Sequence, residues 1–171
     1  MPRYVAFLRG VSPMNAKMPD LKRSFEAAGF CNVKTVLSSG NVVFDATSSS
    51  GASMERKAEA SMQQVLGRTF LTIIRQVDDL SLLLETDPYA DYSVSPEAKR
   101  VISFLRDLPV TAPALPVELD GARVLRVVGR EVFTAYVPSA NGPVFMKLLE
   151  RTFGAEITTR TWGTVKKCVG A

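Results

Sequence analysis

Leu37-Ser38-Ser39-Gly40-Asn41 stands between two short apolar runs, residues 33–37 and 42–44. Gly enters φ > 0 at no steric cost, Asn tolerates it, and Ser bonds the local backbone. The stretch therefore predicts a β-hairpin, or a relative with a small bulge. A hairpin needs a sheet around it, and the flanks supply one. Residues 4–8 are mostly apolar and read as a buried strand that stops at Arg9-Gly10. Pro19 suits the first turn of a helix and Asp20 its positive end. Leu21, Phe25 and Ala28 recur at helical spacing, and Gly29 ends the helix with Phe30 placed to pack back. Beyond the hairpin, residues 47–51 are a polar linker that delivers an N-cap. Met54, Ala58, Met62 and Val65 form one helical stripe, closed by Gly67. Residues 70–74 are rich in β-formers. The order is strand, helix, strand, strand, helix, strand, which is the split βαβ or ferredoxin-like pattern.

The second half repeats the theme less cleanly. Asp78 caps a short helix with Leu80, Leu83 and Leu84, and Asp87-Pro88 breaks it. Residues 100–105 form the next strand. Pro109, Pro113 and Pro116 argue against a long helix after it. Residues 123–128 and 132–137 pair across Val128-Gly129-Arg130-Glu131 as a second hairpin. Asn141-Gly142-Pro143 opens a helix with Val144, Leu148 and Leu149, ended by Gly154. Residues 157–159 make a short edge strand, and Thr161 caps a last helix carrying Trp162, Val165 and Val169. The predicted fold class is α+β, with two tandem ferredoxin-like modules and antiparallel sheets. Residues 1–85 form the first module, 86–98 a linker, and 99–171 a second module that includes the C-terminal helix.

Composition limits the chemistry. The chain has no histidine, which removes the commonest general base and the commonest metal ligand. Ser-His-Asp and Cys-His activation are excluded with it. Cys31 and Cys168 lie far apart with no C-x-x-C spacing, so zinc or redox work is not indicated. No apolar run approaches the roughly 20 residues that span a bilayer. The first residues lack a signal-peptide pattern, because Arg9 interrupts the apolar stretch early. A cytoplasmic protein with no membrane partner is expected, with a monomer as the default for an oligomeric state that the sequence leaves open. The net charge is +4, unevenly spread: residues 1–45 carry six basic and three acidic side chains, 46–98 four and eight, and 99–171 eleven and six. Cationic ends favour polyanions.

Four segments carry a family resemblance. They are Tyr4-Val5-Ala6-Phe7-Leu8-Arg9-Gly10, Lys17-Met18-Pro19-Asp20-Leu21, Leu37-Ser38-Ser39-Gly40-Asn41-Val42-Val43-Phe44, and Thr158-Thr159-Arg160-Thr161-Trp162-Gly163-Thr164-Val165. In this order they resemble the bacterial domain-of-unknown-function family 1697. The resemblance implies tandem ferredoxin-like modules and no particular activity. Family members usually carry Asn-Val-Gly-Gly after the first strand. This chain has a shorter loop with Ser12-Pro13-Met14-Asn15, which removes candidate anion contacts.

Three places are candidate ligand sites. Arg9 and Lys17 flank the loop before the first helix, where free N–H groups and positive potential hold anions. Ser39 and Asn41 offer a hydroxyl and an amide at the hairpin. Arg160, Thr161 and Trp162 combine a cation, a cap and a stacking surface. None of these is a catalytic constellation, and no metal or cofactor is implied. The expected function is non-catalytic binding of nucleic acid or of a phosphate-bearing small molecule in a cationic groove bordered by Arg9 and Arg160. An enzyme acting on a small anionic substrate through Arg9, Lys17, Ser39 and Asn41 is the alternative, and a protein-interaction module is the third. The hairpin tip is expected at the opposite end of the sheet from Arg9, so Ser39 and Asn41 are the more remote members.

Overall fold

The computed structural model describes residues 1–109, 117–119, 121–137 and 144–171. They form two compact units, Met1–Glu85 with Val165–Ala171, and Thr86–Thr164.

The first unit contains β1 (Arg3–Leu8), α1 (Met18–Ala27), β2 (Cys31–Val36), β3 (Asn41–Asp45), α2 (Gly51–Leu66), β4 (Thr72–Gln76) and α3 (Val77–Thr86). Its four strands lie in the order β2-β3-β1-β4, with every neighbouring pair antiparallel. This is the ferredoxin-like order, as the sequence pattern predicts. The helix ends follow the predicted chemistry. Ser50 caps α2, its side chain accepting from the Ser53 N–H at 3.1 Å. Gly29 sits at φ 94° after α1. The Gly29 N–H donates to Glu26 O and the Phe30 N–H to Phe25 O, the paired bonds that satisfy orphan carbonyls at a helix end. Phe30 then stacks on Phe44 at 4.3 Å. Phe44, Phe25 and Tyr4 join Met54, Ala58 and Met62 in one buried core between the sheet and its helices.

One charged cluster ties this unit together at the start of β1. The Arg3 Nη1–H donates to Asp45 at 2.8 Å, and the Asn32 amide donates to the other Asp45 oxygen at 2.8 Å. The bonds from Asn32 and then Arg3 hold the Asp45 carboxyl below its usual range. The Arg3 Nε–H also donates to Ala171 O at 3.2 Å. That contact belongs to the grouping of Val165–Ala171 with the first unit, where the sequence had placed the whole last helix in the second. The predicted stripe of Trp162, Val165 and Val169 says which helix face is apolar, not what it is buried against; Cys168 is buried in place of the half-buried Val169.

The second unit contains β5 (Lys99–Leu105), β6 (Val117–Leu119), β7 (Ala122–Val128), β8 (Glu131–Tyr136), α4 (Val144–Phe153), β9 (Ile157–Thr161) and the start of α5 (Trp162–Val169). The order is β6-β7-β8-β5-β9, again antiparallel at each pair. The four strands β7-β8-β5-β9 repeat the arrangement of the first sheet, and β6 is an added edge strand that the proline-rich sequence did not announce. Pro113, Pro116 and the Asn141-Gly142-Pro143 helix start lie outside the described residues. Leu148 and Leu149 of α4 are buried against Val101, Val124 and Val132.

The expected linker, residues 86–98, contains one buried anchor. Tyr89 is 1% exposed. Its O–H donates to Val101 O at 2.8 Å, and its ring meets Phe133 and Trp162 edge-on at 6.0 and 5.3 Å. Burial pushes the Tyr89 phenol well above its usual 10.0, so it stays protonated and keeps donating.

Candidate functional site

In the first unit, the ends of β1 and β2 and the start of α1 come to one end of the sheet. The reason is topological. Both β1 and β2 run antiparallel to β3, so they are parallel to one another and finish at the same end. The hairpin tip after β2 therefore stands beside the residues that follow β1, which corrects the expectation that it lies at the opposite end. The backbone shows this directly. The Leu8 N–H donates to Gly40 O at 2.8 Å, and the Arg9 N–H donates to Leu71 O at 2.9 Å.

Arg9 thus follows the last residue of β1, next to the hairpin. Ser39 is exposed on the tip. Asn41 is fully buried at the start of β3. Its amide donates to Val36 O at 3.0 Å and to Ser39 Oγ at 3.2 Å. Ser39 and Asn41 are brought together by the turn itself, and Asn41 serves to hold it. The loop from Gly10 to Ala16 is likewise held by its own polar groups. Asn15 Oδ1 accepts from the Ser12 N–H at 2.9 Å, its amide donates to Gly10 O at 2.8 Å, and Ser12 Oγ accepts from the Met14 N–H. The residues that differ from the family pattern here form a closed turn of their own.

Lys17 stands at the N-cap position of α1 with an extended backbone, φ −88° and ψ 139°, and makes no side-chain cap bond. Beside it is a groove of about 290 Å³ walled by Asn15, Lys17, Asp20, Val65 and Leu66 among others. The helix start contributes positive potential to this groove. Asp20 opposes it, but its carboxylate is paired with Arg23 at 2.8 Å. Arg9, Ser39 and Asn41 do not line the groove. Of the candidates proposed from the sequence, Lys17 lines this groove. Val65, the last residue of the α2 stripe, and its neighbour Leu66 were not candidates, because the α1–α2 packing that sets them there is a tertiary fact.

The remaining sequence candidates lie in the second unit. Arg160 is a strand residue of β9, 9% exposed. Its Nη1–H group donates to Thr158 Oγ1 and to Thr159 O, both at 2.7 Å. Thr161 caps α5 as expected, accepting from the Thr164 N–H at 3.3 Å. Trp162 is 8% exposed and packed on Tyr89, the position of a core anchor. A hollow of about 210 Å³ in this unit is lined by Leu105, Asp107, Phe153, Gly154 and Glu156 among others. Its two carboxylates make it a poor place for an anion. Among the described residues, no group of three or more His, Cys, Asp or Glu is placed to hold a metal ion, and no helix is long and apolar enough to cross a membrane.

Comparison with known proteins agrees with the architecture. The solved structure of the conserved bacterial protein SP0830 from Streptococcus pneumoniae superposes with a TM-score of 0.71 at 19% identity, covering 99% of this chain and 97% of that one. At that identity the likeness concerns the fold alone. No curated protein matches the chain. The family model described as "Protein of unknown function (DUF1697)" matches residues 1–133. The match takes in the opening strand, the first helix start and the hairpin, and ends before the segment around Trp162. The chain belongs to the DUF1697 family of proteins of unknown function.

Proposed function

We propose that the first unit binds a small phosphate-bearing ligand, without catalysis, in the groove beside the start of α1. The observation that carries this reading is the uncapped helix start: no side chain caps α1, and Lys17 stands at that position on the wall of a groove of about 290 Å³. Backbone N–H groups at a helix start and a lysine point charge both favour a phosphate. The groove size suits a small molecule. Val65 and Leu66 supply an apolar wall for the rest of it. The nucleic-acid branch is less well supported, since Trp162, the one tryptophan available for stacking, is buried on Tyr89. The four-residue enzyme reading loses Asn41, whose amide is occupied inside the hairpin. A cytoplasmic location is part of the same proposal, supported by the free thiols of Cys31 and Cys168.

The test is a thermal-shift screen of sugar phosphates, mononucleotides and short oligonucleotides, run on the wild type and on Lys17→Glu. A true ligand at a hundredfold excess over its Kd should raise the wild-type Tm by about 8 °C. The same compound should shift Lys17→Glu much less. An equal shift in both proteins, or none from any phosphorylated compound, would overturn the proposal.

A further inference from the structure

Two buried arginines occupy the same place in the two sheets. β4 and β9 are each the outer strand next to the first strand of their own sheet. Arg75 is opposite Val5, which is opposite Val43 on its other side. Arg160 is opposite Ile102, which is opposite Phe133. Both outer strands run directly into a helix, α3 and α5. Arg75 is 5% exposed and Arg160 9%. Each turns Nη1 back onto the carbonyl of the residue before it, Ile74 O at 3.1 Å and Thr159 O at 2.7 Å.

What these bonds occupy is the backbone of an edge. In a strand, the N–H and C=O of one residue point the same way. The Ile74 N–H donates to Glu55 Oε2 at 2.9 Å while Ile74 O accepts from Arg75. Both groups of Ile74 are therefore engaged by side chains on the side away from β1, where a further strand would add. Thr159 is the matching residue of β9. An unprotected edge is a template for pairing with another chain.

The other two edges carry different devices. β2 has a register shift between Cys31 and Lys34, with Asn32 at φ 49° and Lys34 exposed. β6 is three residues long. A bulge, an edge lysine and a very short strand each discourage strand addition.

We propose that Arg75 and Arg160 are equivalent edge locks, each of which holds one outward carbonyl of its strand, Ile74 O in β4 and Thr159 O in β9, and that they keep the protein from associating by strand addition. The role accounts for Arg160 without a ligand. It also sets the kind of partner this chain is built to refuse: an extended peptide, or a second copy, at either sheet edge.

The experiment is light scattering after size exclusion on the full chain, over a wide concentration range, for the wild type, Arg75→Met and Arg160→Met. Methionine replaces the apolar stem and removes the donor. The wild type should remain a monomer. Folded methionine variants should rise with concentration to the mass of a dimer or larger, with a gain in β-sheet signal. Folded variants that stay monomeric would overturn the proposal. A second measurement covers variants that fail to fold: guanidinium NMR of the wild type. Slow-exchanging, separately resolved Nη signals for both arginines support the locks. Averaged, fast-exchanging signals for either one overturn its role.

Discussion

The two hairpins use the same turn residue and put it to different use. Between β2 and β3, Gly40 adopts φ 90°, and a side chain there would meet Val11 Cβ at 2.9 Å and Leu8 Cβ and O at 3.1 Å. Between β7 and β8, Gly129 adopts φ 59°, the sign that the first position of a two-residue reversal gives to glycine. Among the described residues, a side chain there would meet only Glu131 Oε2, at 3.9 Å. The first tip is packed under the loop that follows β1. The second has no such packing among the described residues, and the second sheet is anchored through Tyr89 on Val101, Phe133 and Trp162. A turn signal thus specifies a reversal, and its surroundings decide how much stability depends on it.

Gly40→Ala should break the comparison most visibly. It adds backbone strain to a collision with two neighbours, at a combined cost of about 4 kcal/mol. Urea unfolding of this variant should show a large fall in midpoint. A loss under about 1 kcal/mol would mean that the loop over the tip gives way easily. Tyr89→Phe probes the second unit's anchor. The lost bond should cost about 1.5 kcal/mol near neutrality, because Val101 O still accepts from Thr134 Oγ1 at 2.6 Å. Its pH signature is sharper. The unfolded phenol ionises near 10.0 while the folded one keeps its proton, so wild-type stability should fall as pH rises above that value. Tyr89→Phe should lack this part of the alkaline loss, and identical alkaline slopes would refute the assignment. Gly129→Ala should be the mildest, with a cost of about 1 kcal/mol from φ alone. If it matches Gly40→Ala, the difference in packing between the two tips is not energetically real.

Local chemistry made much of the first unit legible. Gly29 with Phe30, Ser50 with Ser53, and Gly67 end or begin helices through bonds that span a few residues, and such bonds depend on nothing distant. The alternation of elements then leaves few ways to bury both helix stripes on one sheet. The second half was less legible at 86–98, where prolines and small polar residues suggested a boundary between modules and nothing marked Tyr89 as buried. One tyrosine within that stretch is enough to dock it, and composition averages over single anchors.

The candidate site divides the same way. Lys17 beside Pro19 signals a helix start in the sequence itself, and Thr161 signals a cap. What these residues face is decided only in the tertiary structure. The parallel run of β1 and β2 brings the hairpin tip beside Arg9. The packing of α1 on α2 adds Val65 and Leu66 to the groove, and the edge position of β9 turns Arg160 onto its own strand. Residue type and spacing determined where the chain turns, caps and alternates, because those interactions are local. Which cation meets solvent and which is buried was left to contacts between residues far apart in the chain, and those exist only once the sheets have closed.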